Sequence, residues 1–257
     1  MMNSFFRRFL LSLSLAALLP AFGRAAALES LLSGGAPAVA PAPSAAAAVE
    51  ASGKASRAGY YLDVNTADLS AVPPAPAAGS AADREDFRVL YDWQARRTAE
   101  QCAKARTEMD HSFETFFGRI SPFGRPTPPQ VKAFFDNVGK DSVAAHTALK
   151  QVYQRQRPFV RDPGLQPCIG RVAGLSYPSG HSAMSRLFAL ILSDLVPARR
   201  AEFMAKADES ATLRVLGGVH HPSDTAAGKA LADALYKELK RQPRFVSDLD
   251  SIKPLLR

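Results

Sequence analysis

A chain of 257 residues with 47% hydrophobic content is long enough to bury a sizeable core, and its length excludes an array of several full-sized domains. Its formal charge is +8, but Arg7, Arg8 and Arg24 lie in the first 27 residues, beyond which 29 basic residues face 24 acidic ones. A surplus of that size favours small anionic molecules; no basic run with interleaved aromatics accompanies it, so nucleic acid is not the expected partner.

Arg7-Arg8, the apolar run from Phe9 to Leu19 and the small residues Ala25-Ala26-Ala27 form a secretory signal peptide over residues 1–27. Pro20 interrupts the apolar stretch before it reaches the roughly 18 to 20 residues that a membrane anchor needs, so no membrane span is expected after cleavage. The expected destination is the periplasm or the medium. Residues 28–80 are rich in Ala, Pro, Gly and Ser and read as a flexible linker that becomes an extended arm over the domain surface, with an ordered island at Tyr60-Tyr61-Leu62.

From residue 81 to 257 the pattern predicts an all-α domain, a compact helical bundle without period-2 strand runs. Asp83 to Met109 has helix-forming composition, and Phe113, Phe116 and Phe117 are candidate core anchors. A second helical region is expected from about Val131 to Gln156, with Phe134, Val138, Ala145, Leu149 and Val152 on one face. Further helices are expected over Ser182 to Leu195, Ala198 to Val215 and Pro222 to Lys240. Cys102 and Cys168 could pair in an oxidising compartment, worth about 4 kcal/mol on chain-entropy grounds, or remain as two buried thiols.

Three short segments carry candidate chemistry. Lys150 and Arg157 lie two helical turns apart, so in a helix both would project from one face towards a single anion, and Pro158 marks the helix end. Pro178-Ser179-Gly180-His181 is a turn running into an apolar helix, whose unpaired N–H groups offer a seat for an anion. Arg214 and His220 are followed by Asp224, with His221 between the last two. Alone, Lys150 and Arg157 would read as charges on a solvated helix face together with Arg155. Three cations, two histidines and a carboxylate in three segments instead suggest a phosphate pocket with its catalysts.

These three segments, in this order from Lys150 to Asp224, resemble the signature of the type 2 phosphatidic acid phosphatase superfamily. With a secretory leader and no membrane spans, the chain most resembles its bacterial class A non-specific acid phosphatases. One position departs: the family usually has Ser before the third cation, where this chain has Leu213, with Thr212 one position earlier.

The resemblance implies a metal-independent acid phosphatase of broad specificity that works through a phosphohistidine. Lys150, Arg157, Ser179, Gly180 and Arg214 would bind phosphate. His220 would be the nucleophile, Asp224 would fix its tautomer, and His181 would protonate the leaving alkoxide and then activate water. An acidic pH optimum follows from the need for a protonated His181. Expected substrates are nucleotides, sugar phosphates and aryl phosphates, with no cofactor; a homo-oligomer is compatible with the sequence.

Several other readings compete. His220, His221 and Asp224 have the donor types of a metal site, but three fixed cations in the same pocket would repel a divalent ion. Ser179 as nucleophile with His181 as base lacks the glycine spacing of a nucleophile elbow. His111 and His146 have no companions in sequence and read as structural histidines. A vanadate-dependent haloperoxidase shares the superfamily's pocket, and a periplasmic phosphate-binding protein would need the cations without a poised His220.

Overall fold

The computed structural model describes residues 59–257; the signal peptide expected over residues 1–27 and the first part of the expected linker fall outside the described residues. The regular elements are helices: α1 (Ala81–Arg96), α2 (Ala99–Thr107), α3 (Phe113–Phe117), α4 (Pro129–Tyr153), α5 (Pro158–Arg161), α6 (Gly180–Leu195), α7 (Arg200–Leu216), α8 (Pro222–Leu239) and α9 (Pro243–Ile252). The all-α bundle expected from the sequence is what the chain forms.

Helix α6 is its axle. Its sequence is apolar on nearly every face, a pattern that is stable only in a fully packed position, and Ala183, Leu187, Phe188, Ile191 and Leu192 are all buried. It packs against α7 and α8 and also against α4. Phe113, Phe116 and Phe117, on the short α3, close one side of this core, with Phe113 stacked on Phe135 of α4 at a centroid distance of 4.1 Å.

The single helical stretch expected from Asp83 to Met109 is two helices. Arg97 adopts extended backbone, and Thr98 caps α2 through a reciprocal bond pair with Gln101. A Thr three residues before a Gln is a capping box, and that local signal outweighs the continuing helical composition. Likewise, α4 stops at Tyr153 rather than at Gln156, because Gln154 takes a left-handed conformation with φ of 46°. Arg157 therefore does not share a helix with Lys150.

The arm preceding α1 does more than lie over the surface. Leu62, Val64, Leu69 and Val72 are buried in the main core. Asp141 of α4 anchors the arm's start by accepting the backbone N–H groups of Tyr61 and Leu62, each at 3.0 Å. A side chain at Gly59 would place its first carbon 2.0 Å from the Asp141 carboxylate, so only glycine permits this approach.

Cys102 of α2 and Cys168 are joined in a disulfide. It ties α2 to the loop before α6, and that loop supplies the carbonyls that aim two of the candidate cations.

Candidate active site

A cavity of about 220 Å³ opens at the N-terminal end of α6. Of the eight residues expected from the sequence, Lys150, Arg157, Gly180, His181, Arg214 and His220 line it, whereas Ser179 and Asp224 lie behind its wall.

Lys150 enters from the last turn of α4 and donates to the Leu175 carbonyl at 2.6 Å. Arg157 comes from the loop between α4 and α5, and its guanidinium donates to the Val219 carbonyl at 2.9 Å and the Gly174 carbonyl at 3.2 Å. Arg214 arrives from α7 and is almost wholly buried, with no carboxylate partner. Burial lowers the Lys150 ammonium to about 7, assisted by the nearby Arg157 charge. Both guanidiniums are lowered to about 10, again chiefly by burial. Three cations that carbonyls orient but no carboxylate neutralises form a cage for an anion.

Gly180 and His181 begin α6, where the N–H groups have no partner inside the helix. A side chain at Gly180 would meet the His146 ring at 2.8 to 3.1 Å, so glycine is what lets α6 start against that ring. Ser179 is the helix cap: its Oγ accepts from the Ser182 N–H at 3.4 Å. The loop after α2 roofs the cavity through Met109 and His111. His181 Nε2 donates to the Glu108 carbonyl at 2.9 Å, so Nδ1 is the ring atom not used for anchoring.

His220 Nε2 lies 2.7 Å from an Arg157 N–H, which can only donate, so Nε2 carries the lone pair and Nδ1 the proton. Nδ1 faces Asp224 Oδ2 at 3.5 Å, longer than a hydrogen bond, and has no other partner. The same carboxylate oxygen is held more tightly by His221, whose backbone N–H is at 2.8 Å and whose Nδ1 is at 2.9 Å, and by Ser176 Oγ at 2.5 Å. His221 thus stands behind Asp224 instead of lining the cavity. Burial opposes the charge on Asp224, but the two histidines beside it outweigh this and hold it well below the usual carboxylate range.

Arg155, expected on a solvated face, is buried behind the site. Its Nη1 donates to Asp224 Oδ1 and Ser223 Oγ, both at 2.7 Å, and its Nη2 to Asp83 at 2.9 Å and Asp86 at 2.8 Å. Arg161 adds two further bonds to Asp83, each at 2.7 Å. Helix α1 therefore reaches the candidate site through two carboxylates that the motif spacing does not touch.

The other histidines are also placed differently from expectation. His111 and His146 both line the cavity, and the His111 ring centroid is 3.8 Å from that of His181 and 6.4 Å from that of His146. Their companions come from distant segments, which sequence adjacency cannot reveal. Leu213 and Thr212, at the departure from the family pattern, both miss the cavity. Leu213 packs in a small core with Cys102, and the Thr212 hydroxyl donates to the Asp208 carbonyl at 2.8 Å on the exposed side.

Residues 141–244, the stretch that holds every one of these expected residues, match the family model described as the PAP2 superfamily. That stretch is a PAP2 superfamily domain. It is 28% identical over 210 residues to a non-specific acid phosphatase of Providencia stuartii, covering 76% of this chain and 83% of that protein. A non-specific acid phosphatase of Salmonella typhi is 27% identical over 194 residues, covering 71% of this chain and 77% of that protein. Among solved structures, a bacterial vanadium-dependent iodoperoxidase shares the PAP2-type fold, with a TM-score of 0.52 and 18% identity over 67% of this chain. The chain spans about half the length of that peroxidase, 53%.

Proposed function

We propose that this PAP2-domain protein is a metal-independent acid phosphatase that hydrolyses a broad range of phosphate monoesters through a phosphohistidine on His220. The observation that carries this reading is a cavity bounded by Lys150, Arg157 and Arg214 with no carboxylate in its lining, entered by a histidine whose Nε2 bears the lone pair. Similarity to two non-specific acid phosphatases over most of their length supports the same activity.

The three cations and the start of α6 hold the phosphoryl oxygens and offset the charge spread over them in the transition state. A phosphoryl oxygen takes the Arg157 N–H now given to His220, which frees Nε2. Nε2 then attacks phosphorus; the P–N bond forms as the ester P–O bond breaks, and the leaving oxygen takes a proton from His181. A water that returns its proton to His181 attacks the phosphohistidine, releasing inorganic phosphate and restoring His220. Asp224 balances the positive charge on His220 while it is phosphorylated. A divalent cation fits this donor set poorly, because three fixed cations surround the place it would occupy.

Nucleotides, sugar phosphates and aryl phosphates are the proposed substrates, acted on in the periplasm or medium after residues 1–27 are removed. No helix among the described residues is long and apolar enough to cross a membrane, which accords with action on dissolved esters. The deciding experiment is hydrolysis of an aryl phosphate by the protein at mildly acidic pH with a chelator present, beside His220→Ala. Expected is turnover that survives chelation and falls by at least about 10⁴-fold in the variant, which lacks the nucleophile. Turnover that the chelator abolishes, or that His220→Ala retains, would overturn the mechanism. If phosphate binds but no ester turns over, the chain is a binding module.

A further inference from the structure

A second cavity, of about 400 Å³, adjoins the first, and His111 belongs to the wall of both. Its lining is mostly apolar: Phe113, Phe135, Gly139, Val143, Met184 and Phe188. Two helix stripes connect the cavities. On α4, Gly139, Val143, His146 and Lys150 follow one another at spacings of four, three and four, and therefore share a face. On α6, His181, Met184 and Phe188 do the same at spacings of three and four. Each stripe is polar or charged at the anion cavity and apolar at the other end.

The charged residues at the rim do not alter that character. Asp136 is paired with Lys132 at 2.7 Å. The Lys140 ammonium bonds to Asn137 at 2.8 Å and lies over the Tyr60 ring. Neither is left seeking a partner from a ligand. The His111 ring, lowered to about 4 first by desolvation and then by Arg214 and Lys150, presents a neutral face between the two spaces.

We infer that the apolar cavity is the leaving-group subsite, and that it takes an aryl or alkyl alcohol half of a phosphate monoester whose phosphoryl group sits in the cation cage. This rests on the phosphatase reading for the identity of the anion. The 220 Å³ cavity has room for a phosphoryl group and the first atoms of its ester, so the rest of a larger alcohol must extend beyond it. An ester lying between the α4 and α6 stripes passes His111 and His181 at the scissile bond, where the leaving oxygen needs its proton. Broad acceptance of small alcohols then coexists with preference for apolar ones, since an apolar wall rewards buried area without demanding a particular hydrogen bond.

Gly139 offers a way to fill this space. A first side-chain carbon there would meet Met184 at 3.6 Å and Phe188 at 4.0 Å, ordinary contacts, so Gly139→Leu grows into the cavity without a backbone clash. Val143→Glu is the companion variant; Val143 is 44% exposed, so the change puts a charge at the lip without disturbing the core. The probes are two non-hydrolysable anions, naphthylmethylphosphonate and methylphosphonate, with affinities measured by calorimetry. The wild-type protein should bind the naphthyl compound about tenfold or more tightly than the methyl one, the worth of burying part of an aromatic ring. Both variants should bring that ratio close to one while leaving methylphosphonate affinity unchanged. In parallel, kcat/KM for 1-naphthyl phosphate relative to glycerol 2-phosphate should fall by a similar factor. A wild-type ratio near one, or a ratio that neither variant alters, overturns the subsite while the phosphatase reading stands. If the wild-type protein binds neither phosphonate, both readings fall.

Discussion

Arg155 and Arg157 stand two residues apart in the chain and are both buried, yet their surroundings are opposite. Arg155 meets the carboxylates of Asp83, Asp86 and Asp224; burial opposes its charge, but these acids outweigh it and raise the guanidinium above its ordinary value. Arg157 meets carbonyls and a histidine but no carboxylate, and burial lowers it to about 10. A buried cation with its counterions in place is finished structure. One held by neutral dipoles beside a cavity is incomplete until an anion arrives, and that asymmetry separates scaffold from candidate site more sharply than burial or charge alone.

The largest expected effect tests the first half of this contrast. Arg155→Met leaves three carboxylates without their shared cation and should cost about 3–5 kcal/mol, as breaking a buried ion pair usually does. Chemical denaturation reads it directly. A loss below about 1 kcal/mol would mean that the cluster behaves like an exposed pair. Adding Asp86→Asn to Arg155→Met should recover part of the loss, because one stranded charge goes with it.

Arg157→Met tests the second half. No carboxylate is stranded, so the loss of stability should be far smaller than for Arg155→Met. Catalysis should fall by about 10²–10³ in kcat/KM, the usual cost of removing one fixed donor to a developing anion. If the two variants swapped behaviour, with Arg157→Met unfolding the protein and Arg155→Met sparing it, the proposed division would be wrong. Arg157→Lys should recover little, because a lysine cannot reproduce the bonds to Val219 and Gly174 together with one to an anion.

The same contrast shows what was legible in the sequence. Lys150, Arg157, His181, Arg214 and His220 are written in three short segments, and the helices that carry them follow from hydrophobic spacing and from the proline and glycine signals at their ends. The partners of Arg155 were not legible, since Asp83 and Asp86 lie 72 and 69 residues away and nothing local ties them to it. His111 and His146 were misread for the same reason: a lone histidine acquires its meaning from rings brought beside it by tertiary packing. The burial of Leu62, Val64, Leu69 and Val72 was hidden by the Ala/Pro-rich composition around them, which speaks for an extended chain but not for where that chain lies. At Gln154, helical periodicity continued in sequence while the backbone turned left-handed, and that turn takes Arg157 off the helix that carries Lys150.

The last of the expected effects concerns the histidines that share the cage. His111 is lowered to about 4 and His146 to about 3, and His181 and His220 lie well below the usual histidine value, in each case first through desolvation and then through neighbouring positive charge. In the unfolded chain such rings take up protons near pH ~6.5. Between that pH and about 4 the unfolded state therefore holds more protons than the folded one, and stability must fall as pH falls through this window. Asp141, raised to about 6 by burial, acts in the opposite direction with a single proton against these four. A bound phosphate supplies the missing negative charge and raises the affinity of the rings for protons; by reciprocity, phosphate binds more tightly as the pH drops. The melting temperature of the empty protein should decline by several degrees from about pH 7 to about pH 5, and saturating phosphate should restore most of that loss. The phosphate-induced shift should accordingly be larger at the lower pH. Equal shifts at both values would mean that the cage histidines gain no protons when the anion binds, and His181 would then have no proton ready for the leaving group.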